Sequence, residues 1–228
     1  MAPLTPPGGT PLANVEHETD TRQRLLNAAG EVFAEVGFHT ATTRDIARRA
    51  SANIAAINYY FRDKQGLYTE AVRLIYRDED TKYPATPGVT DDAPPDCRLR
   101  AFIHGFMHKL FDAERPAWHG RLLSRELFEP TEALDAIVAE RIRPRYQLLR
   151  GIISDLLGAA RTDALVRLCI NSVIGQCLHY HHARHMLARL QPECPYGPHN
   201  AAELAEHVAR FSLGAIATLA RGAEGRTA

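Results

Sequence analysis

The sequence predicts an all-α protein, and three observations carry that reading. Apolar residues recur at spacings of three and four along most of the chain. Caps and breakers interrupt those runs at short intervals. No stretch shows the alternation or the β-branched richness of a strand. With 228 residues, 45% hydrophobic and 24% charged, the chain has ample material for a packed core, and wholesale disorder is excluded. No apolar run approaches the roughly 18 residues of a membrane-spanning helix. The first twenty residues lack the basic start and apolar segment of a secretory signal. Cys97, Cys169, Cys177 and Cys194 form no CxxC pair, which fits free thiols in a reducing, cytoplasmic setting.

Residues 1–20 are rich in Pro and Gly and read as a disordered arm. From Thr21 a helical stripe begins, with Leu25, Leu26, Ala29, Val32, Phe33 and Val36 at helical spacing. Gly37 is a natural C-cap. Thr42, followed three residues later by Asp45, announces a short second helix from Thr43 to about Ala50. Asn53 caps a third, Ile54 to about Phe61, and Asp63 caps a fourth that carries Leu67, Ala71, Leu74 and Ile75 on one face. The acidic, Pro- and Gly-rich stretch 78–95 reads as a linker.

Beyond it a helix is expected from about Asp96 to Phe111 and another around Gly120 to Phe128. A third opens at Pro130-Thr131-Glu132 and runs to Ile142, and Pro144 is expected to kink or divide it before Tyr146 to Leu157. Thr162 caps a long helix to about Leu190. A final helix carries Leu204, Val208, Phe211, Ala215 and Leu219. The last two helices leave apolar faces that predict a homodimer of paired helices. The domain reading is therefore an arm (1–20), a domain at 21–77, a linker at 78–95 and a helical domain at 96–228.

The formal net charge is zero, with 27 basic and 27 acidic side chains. Taken whole, that argues against a nucleic-acid binder. Taken in blocks it does not. Residues 1–20 carry −3, residues 21–77 carry +4, residues 78–95 carry −4 and the remainder carries +3. The basic block coincides with the run of short capped helices. Its modest charge predicts few phosphate ion pairs per protomer, with affinity dependent on dimerisation and on uncharged contacts from Thr43, Asn58 and the tyrosines.

Two short helices joined by a tight turn and packed on a longer first helix form a helix-turn-helix, whose second helix lies in the major groove. The stretch from Arg22 to about Ala71 resembles the TetR family of bacterial transcriptional regulators. The resemblance rests on the Gly37 turn, Thr-Thr-Arg-Asp-Ile-Ala at 42–47, and Ile57-Asn58-Tyr59-Tyr60-Phe61 followed by Lys64, Leu67 and Tyr68. Asn53 to Phe61, together with Arg125-Glu126 and Pro130-Thr131-Glu132-Ala133, is similar to the CecR-like branch. That branch implies repressors of efflux and drug-tolerance genes.

The resemblance implies that Thr42, Thr43 and Arg44 meet the DNA backbone and a base edge; Arg suits guanine. Thr42 also reads as a cap. On the third helix Ile57 and Phe61 share a side that suits the core. Ile54 and Ala55 suit a thymine methyl, and Asn58, Tyr59 and Tyr60 suit phosphates or bases, although one tyrosine fits a packed position equally well. In the family the lysine at Lys64 grips phosphate. Two positions depart from the pattern: Ser51 stands where the turn usually has Gly, and Asn53 where the cap is usually Ser or Thr.

The expected partners are thus a palindromic double-stranded DNA operator, a second copy of the chain and a small-molecule effector, with no membrane and no cofactor. For the effector, His104, Met107, His108 and Phe111 lie opposite the main stripe of their helix and suit a cavity lining. Trp118, His119, Arg125, Tyr146 and Tyr180 are further candidates. Each also fits an ordinary core or interface position. Cys177, His181 and His185 recur at spacings of four, as do His104 and His108, so a metal-responsive repressor is the alternative. No HExxH, GxSxG or P-loop pattern occurs, and the chain does not read as an enzyme.

Overall fold

The computed structural model describes residues 11–77, 82–194 and 196–224. The first ten residues of the expected arm and residues 78–81 of the expected linker lie outside the described residues. Among the described residues the regular structure is all helical. In chain order the helices are α1 (Pro11–Thr40), α2 (Thr43–Arg49), α3 (Ile54–Phe61), α4 (Lys64–Ile75), α5 (Pro95–Leu110) and α6 (Ala117–Phe128). They continue with α7 (Glu132–Ile137), α8 (Arg143–Leu157), α9 (Asp163–His182), α10 (Arg184–Leu190) and α11 (Ala201–Glu224). None is long and apolar enough to cross a membrane. The four cysteines are free thiols, Cys169 and Cys177 buried, Cys97 and Cys194 exposed.

The chain forms two compact units. One comprises Met1–Arg77 with Pro116–Ile137, and the other Asp78–Arg115 with Val138–Ala228. The sequence predicts one helical domain at 96–228. The structure instead packs α6 and α7 with α1 to α4. Trp118, Leu122, Ala133 and Ile137 join the core of Leu25, Phe33, Ile46, Ile57 and Leu67.

In the first unit α1 starts ten residues earlier than its stripe suggests, so residues 11–20 are helical and do not form an arm. Proline at the first helical position costs nothing, because that N–H has no intrahelical partner. Further along, Asp20 and Arg24 make an i,i+4 ion pair at 3.0 Å, which favours the helix. The regular helix breaks at Gly37 (φ 82°, ψ 167°), where the left-handed backbone admits glycine and penalises other residues. Leu25, Leu26, Ala29, Val32 and Phe33 are buried as the stripe requires, whereas Val36 is 43% exposed. Trp118 crosses α1 at Gly30. A Cβ on Gly30 would stand 2.4 Å from the indole ring, so the close approach of α6 to α1 requires a glycine there.

The second unit buries Leu99, Ile103 and Met107 of α5 against Ile152 and Ile153 of α8, Ile170 and Cys177 of α9 and Val208 of α11. The first described part of the expected linker, 82–87, packs on the second unit, while most of 88–94 is exposed. The Tyr83 hydroxyl donates to Asp112, Lys82 pairs with Asp112 at 2.8 Å, and Arg145 donates to the Tyr83 carbonyl at 2.8 Å. A Cβ on Gly105 would meet the Pro84 carbonyl at 2.9 Å. Composition marked the stretch as a spacer, yet Tyr83 is 5% exposed and Ala85 packs on the core. Before Pro144 the helix widens into a π turn, Val138–Ile142, and Pro144 then takes the second position of α8, where its missing N–H is harmless. The expected long helix from Thr162 divides at Ala183: Arg184 donates to the His181 carbonyl at 2.8 Å and takes up a helix-terminal acceptor.

Gly30→Ala forces the indole to shift and is expected to lower the unfolding free energy by about 1–3 kcal/mol through overpacking, as read by urea titration. An unchanged midpoint would show that α6 tolerates a wider spacing from α1.

Candidate nucleic-acid interface

Helices α2, α3 and α4 are each opened by a local side-chain cap. The Thr42 hydroxyl oxygen accepts from the Asp45 amide at 3.1 Å and donates its own proton to the Asp45 carboxylate at 2.6 Å. That bond is the largest cause holding the Asp45 carboxyl below its usual range, with Arg48 adding to it. The Asn53 side chain accepts from the Ala55 amide at 2.8 Å, and Asp63 accepts from the Gly66 amide at 2.7 Å. The turn between α2 and α3 passes through Ser51 at φ 49°, so the serine adopts the left-handed conformation that glycine usually fills, at a cost of about 1–2 kcal/mol.

Ile57 and Phe61 are 0% and 4% exposed and belong to the core. The opposite face of α3 is open: Ile54 is 47% and Tyr59 72% exposed, and Ala55 and Asn58 are exposed as well. Tyr60 is half-buried, with its ring 4.8 Å from that of Tyr59; it is the more packed of the two tyrosines. Thr42 and Arg44 are exposed and Thr43 half-buried at the start of α2. Lys64 is turned to a second use. Its ammonium donates to the Ala41 carbonyl at 3.0 Å and the His39 carbonyl at 3.3 Å, and it lies 4.6 Å from the Phe38 ring centre. It thereby ties down the loop that delivers Thr42.

Behind this surface stands a buried polar clasp. Glu126 is 1% exposed. The Tyr68 hydroxyl donates to one of its carboxylate oxygens, while the Thr131 amide (2.8 Å) and hydroxyl (3.0 Å) donate to the other. Burial, then the carboxylate, pushes the Tyr68 hydroxyl well above its usual range. Thr131 also accepts from the Ala133 amide at 3.2 Å, opening α7. Next to Glu126, Arg125 donates to the Ala34 and Glu35 carbonyls, both at 3.0 Å, and so satisfies the C-terminal end of α1 ahead of Gly37. The motif residues Arg125-Glu126 and Thr131 therefore brace the helix-turn-helix. Glu126 falls four and eight residues after Leu122 and Trp118. A carboxylate on a core stripe was the available sign of this clasp.

The expected effector residues do not come together in one place. Met107 and Phe111 are buried in the second core, and Tyr146 and Tyr180 pack against it. His104 lies 3.5 Å from Glu206, which also pairs with Arg100. His108 is exposed on α5. Trp118 and Arg125 belong to the first unit, one against Gly30 and the other bound to α1 carbonyls. His119 lies beside the Trp118 indole, 4.1 Å between ring centres. A helical stripe reports which face is buried but not against which element. As for metal, among the described residues no group of three or more His, Cys, Asp and Glu side chains could hold an ion. Cys177 is 0% exposed in the core, with its thiol pushed up to about 12 by burial. Burial, and then Arg184, lowers His181 to about 4.

An all-helical chain whose first unit presents a capped, solvent-facing α3 is a helix-turn-helix protein. Residues 25–71 match the model of the bacterial regulatory proteins of the tetR family. Residues 95–216 match that of the C-terminal domain of the HTH-type transcriptional dual regulator CecR. The chain is 30% identical to the HTH-type transcriptional dual regulator CecR of Shigella flexneri, over 69% of this chain and 74% of that protein. It is also 37% identical to the HTH-type transcriptional regulator BetI of Yersinia pestis, over 37% of this chain and 42% of that one. Its fold is like that of the fatty acid degradation regulator FadR of Bacillus halodurans, with a TM-score of 0.58 and 17% identity over 91% and 97% of the two chains. It is also like the TetR-family regulator SCO4454 of Streptomyces coelicolor, at 0.60 and 16% over 87% and 97%. The chain belongs to the TetR family of transcriptional regulators and carries a CecR-type C-terminal domain.

Tyr68→Phe removes one donor from a buried carboxylate and is expected to cost about 1–3 kcal/mol of unfolding free energy. Chemical denaturation of the two proteins checks this; equal stability would mean that Glu126 is not held by the tyrosine.

Proposed function

We propose that the chain is a cytoplasmic, dimeric repressor that holds a palindromic operator and releases it when a small molecule binds the helical body. The observation that carries the DNA reading is the exposed face of α3, fixed from behind by caps, core and clasp while Ile54, Ala55, Asn58 and Tyr59 stay in solvent. On this reading Thr42 and Thr43 bind phosphate and Arg44 reads a guanine edge. Ile54 and Ala55 touch thymine methyls, and Asn58, Tyr59 and Tyr60 contact phosphate or bases. Lys64, with two N–H groups engaged, has one left for phosphate.

The homodimer is supported by apolar and small residues left open on α9 and α11. Leu168 is 64%, Phe211 61% and Leu219 42% exposed, at helical spacing with Gly175 and Gly214, above which a Cβ would meet nothing within 4 Å. Two helices from each copy would cover these faces. The second core around α5, with Met107, Phe111, Tyr146 and Tyr180, is the proposed seat of the effector response. A dimer reads two half-sites about one helical turn or a multiple apart, so a small rotation of its DNA-binding units loses the fit. Control of efflux or drug-tolerance genes follows from the likeness to the CecR branch.

Footprinting of the DNA upstream of the chain's own gene tests this reading. A twofold-symmetric protected sequence is expected, and Arg44→Ala should weaken binding by about 1–3 kcal/mol per half-site. Protection without symmetry, or binding indifferent to Arg44→Ala, would count against it.

A further inference from the structure

We infer that Arg62, immediately after α3, is a phosphate-binding cation of the DNA surface, an assignment that rests on the operator-binding reading above. The basic block from 21 to 77 is largely spent on the protein itself. Arg22 and Arg73 share Glu70 at 2.9 and 3.1 Å. Arg24 pairs with Asp20 at 3.0 Å, Arg48 with Asp45 at 2.8 Å and Arg49 with Glu35 at 2.8 Å. Arg77 donates to Gln23 at 3.3 Å, and Lys64 is bound to two carbonyls. Within this block, Arg44 and Arg62 are the basic side chains with no hydrogen bond or ion pair from the side chain to another described residue. A paired arginine must give up its carboxylate before it displaces counterions from DNA, whereas an unpaired one does so at once.

Arg62 is exposed and ends the recognition helix, its amide donating to the Asn58 carbonyl at 3.1 Å. Its backbone sits at φ 72°, ψ −50°, on the left-handed side where glycine is at ease and an arginine is strained. Backbone needs alone would place a glycine there, so the position is held for the guanidinium. Among the described residues of this block, Arg44 at the start of α2 and Arg62 at the end of α3 are then the cations whose guanidinium groups hold no hydrogen bond or ion pair within the chain.

The test uses the full chain and the duplex protected in the footprint, with binding measured across a salt series. Arg62→Gly removes the charge and relieves the backbone. It is expected to bind about tenfold more weakly, with a melting temperature equal to or above that of the wild type. Its log–log salt slope should be shallower by about 0.9 for each lost phosphate contact, hence about 1.8 for a dimer. Arg62→Lys keeps the wild-type slope. An Arg62→Gly slope equal to the wild type overturns the assignment, and so does a weaker binding that comes with a lowered melting temperature and no change of slope. A wild-type chain that protects no DNA overturns the operator reading itself, and that result is visible before any variant is made.

Discussion

A carboxylate buried in an apolar helical core is the constraint on which the first unit depends. Leaving the Glu126 charge unpaired at 1% exposure would cost several kcal/mol, so its oxygens must find donors. Tyr68 of α4 and Thr131 at the head of α7 supply them, and one rotation of α6 satisfies both. The rest follows from that rotation. Two turns earlier on the same stripe, Trp118 is driven onto α1 where only Gly30 leaves room. One residue earlier, Arg125 reaches the last carbonyls of α1. A four-helix stretch that would be thin by itself thus gains two helices from much later in the chain, and α3 is held rigidly enough to present a defined face.

The electrostatics of that face are sparing. The block carries +4 in formal charge, yet its cations mostly neutralise neighbouring carboxylates or cap carbonyls. On the proposed reading, what is left for DNA is a small positive charge and the apolar, amide and phenol side chains of Ile54, Ala55, Asn58 and Tyr59 on α3. Such a surface favours recognition by fit, methyl contacts and hydroxyl bonds over bulk attraction. It also makes the second protomer's contribution matter more, since neither half carries much charge-driven affinity.

Much of this was legible in the residues because it is local. Caps at Thr42, Asn53 and Asp63 lie within three residues of the amides they serve, and helical spacing separates Ile57 and Phe61 from Asn58 and Tyr59. The early start of α1 was not legible, because Pro11 in a Pro- and Gly-rich stretch reads as a breaker although the first helical position accepts it. Nor was the allegiance of α6. Trp118 and Arg125 declare a buried face and a charge, but only tertiary packing shows that both are engaged with α1. The stretch 82–94 reads as a linker from its prolines and acids, while Lys82, Tyr83 and Ala85 dock its first part. The conformation of Arg62 leaves no trace in the pattern at all.

On the proposed reading, DNA is met by the exposed face of α3. Photocrosslinking from a benzophenone side chain placed at Tyr59 tests it most directly, with the same group at Phe128, an 85% exposed residue of the same unit, as the comparison. A covalent adduct with the protected duplex is expected from position 59 and none from position 128. Retained binding with no adduct from position 59 would contradict it.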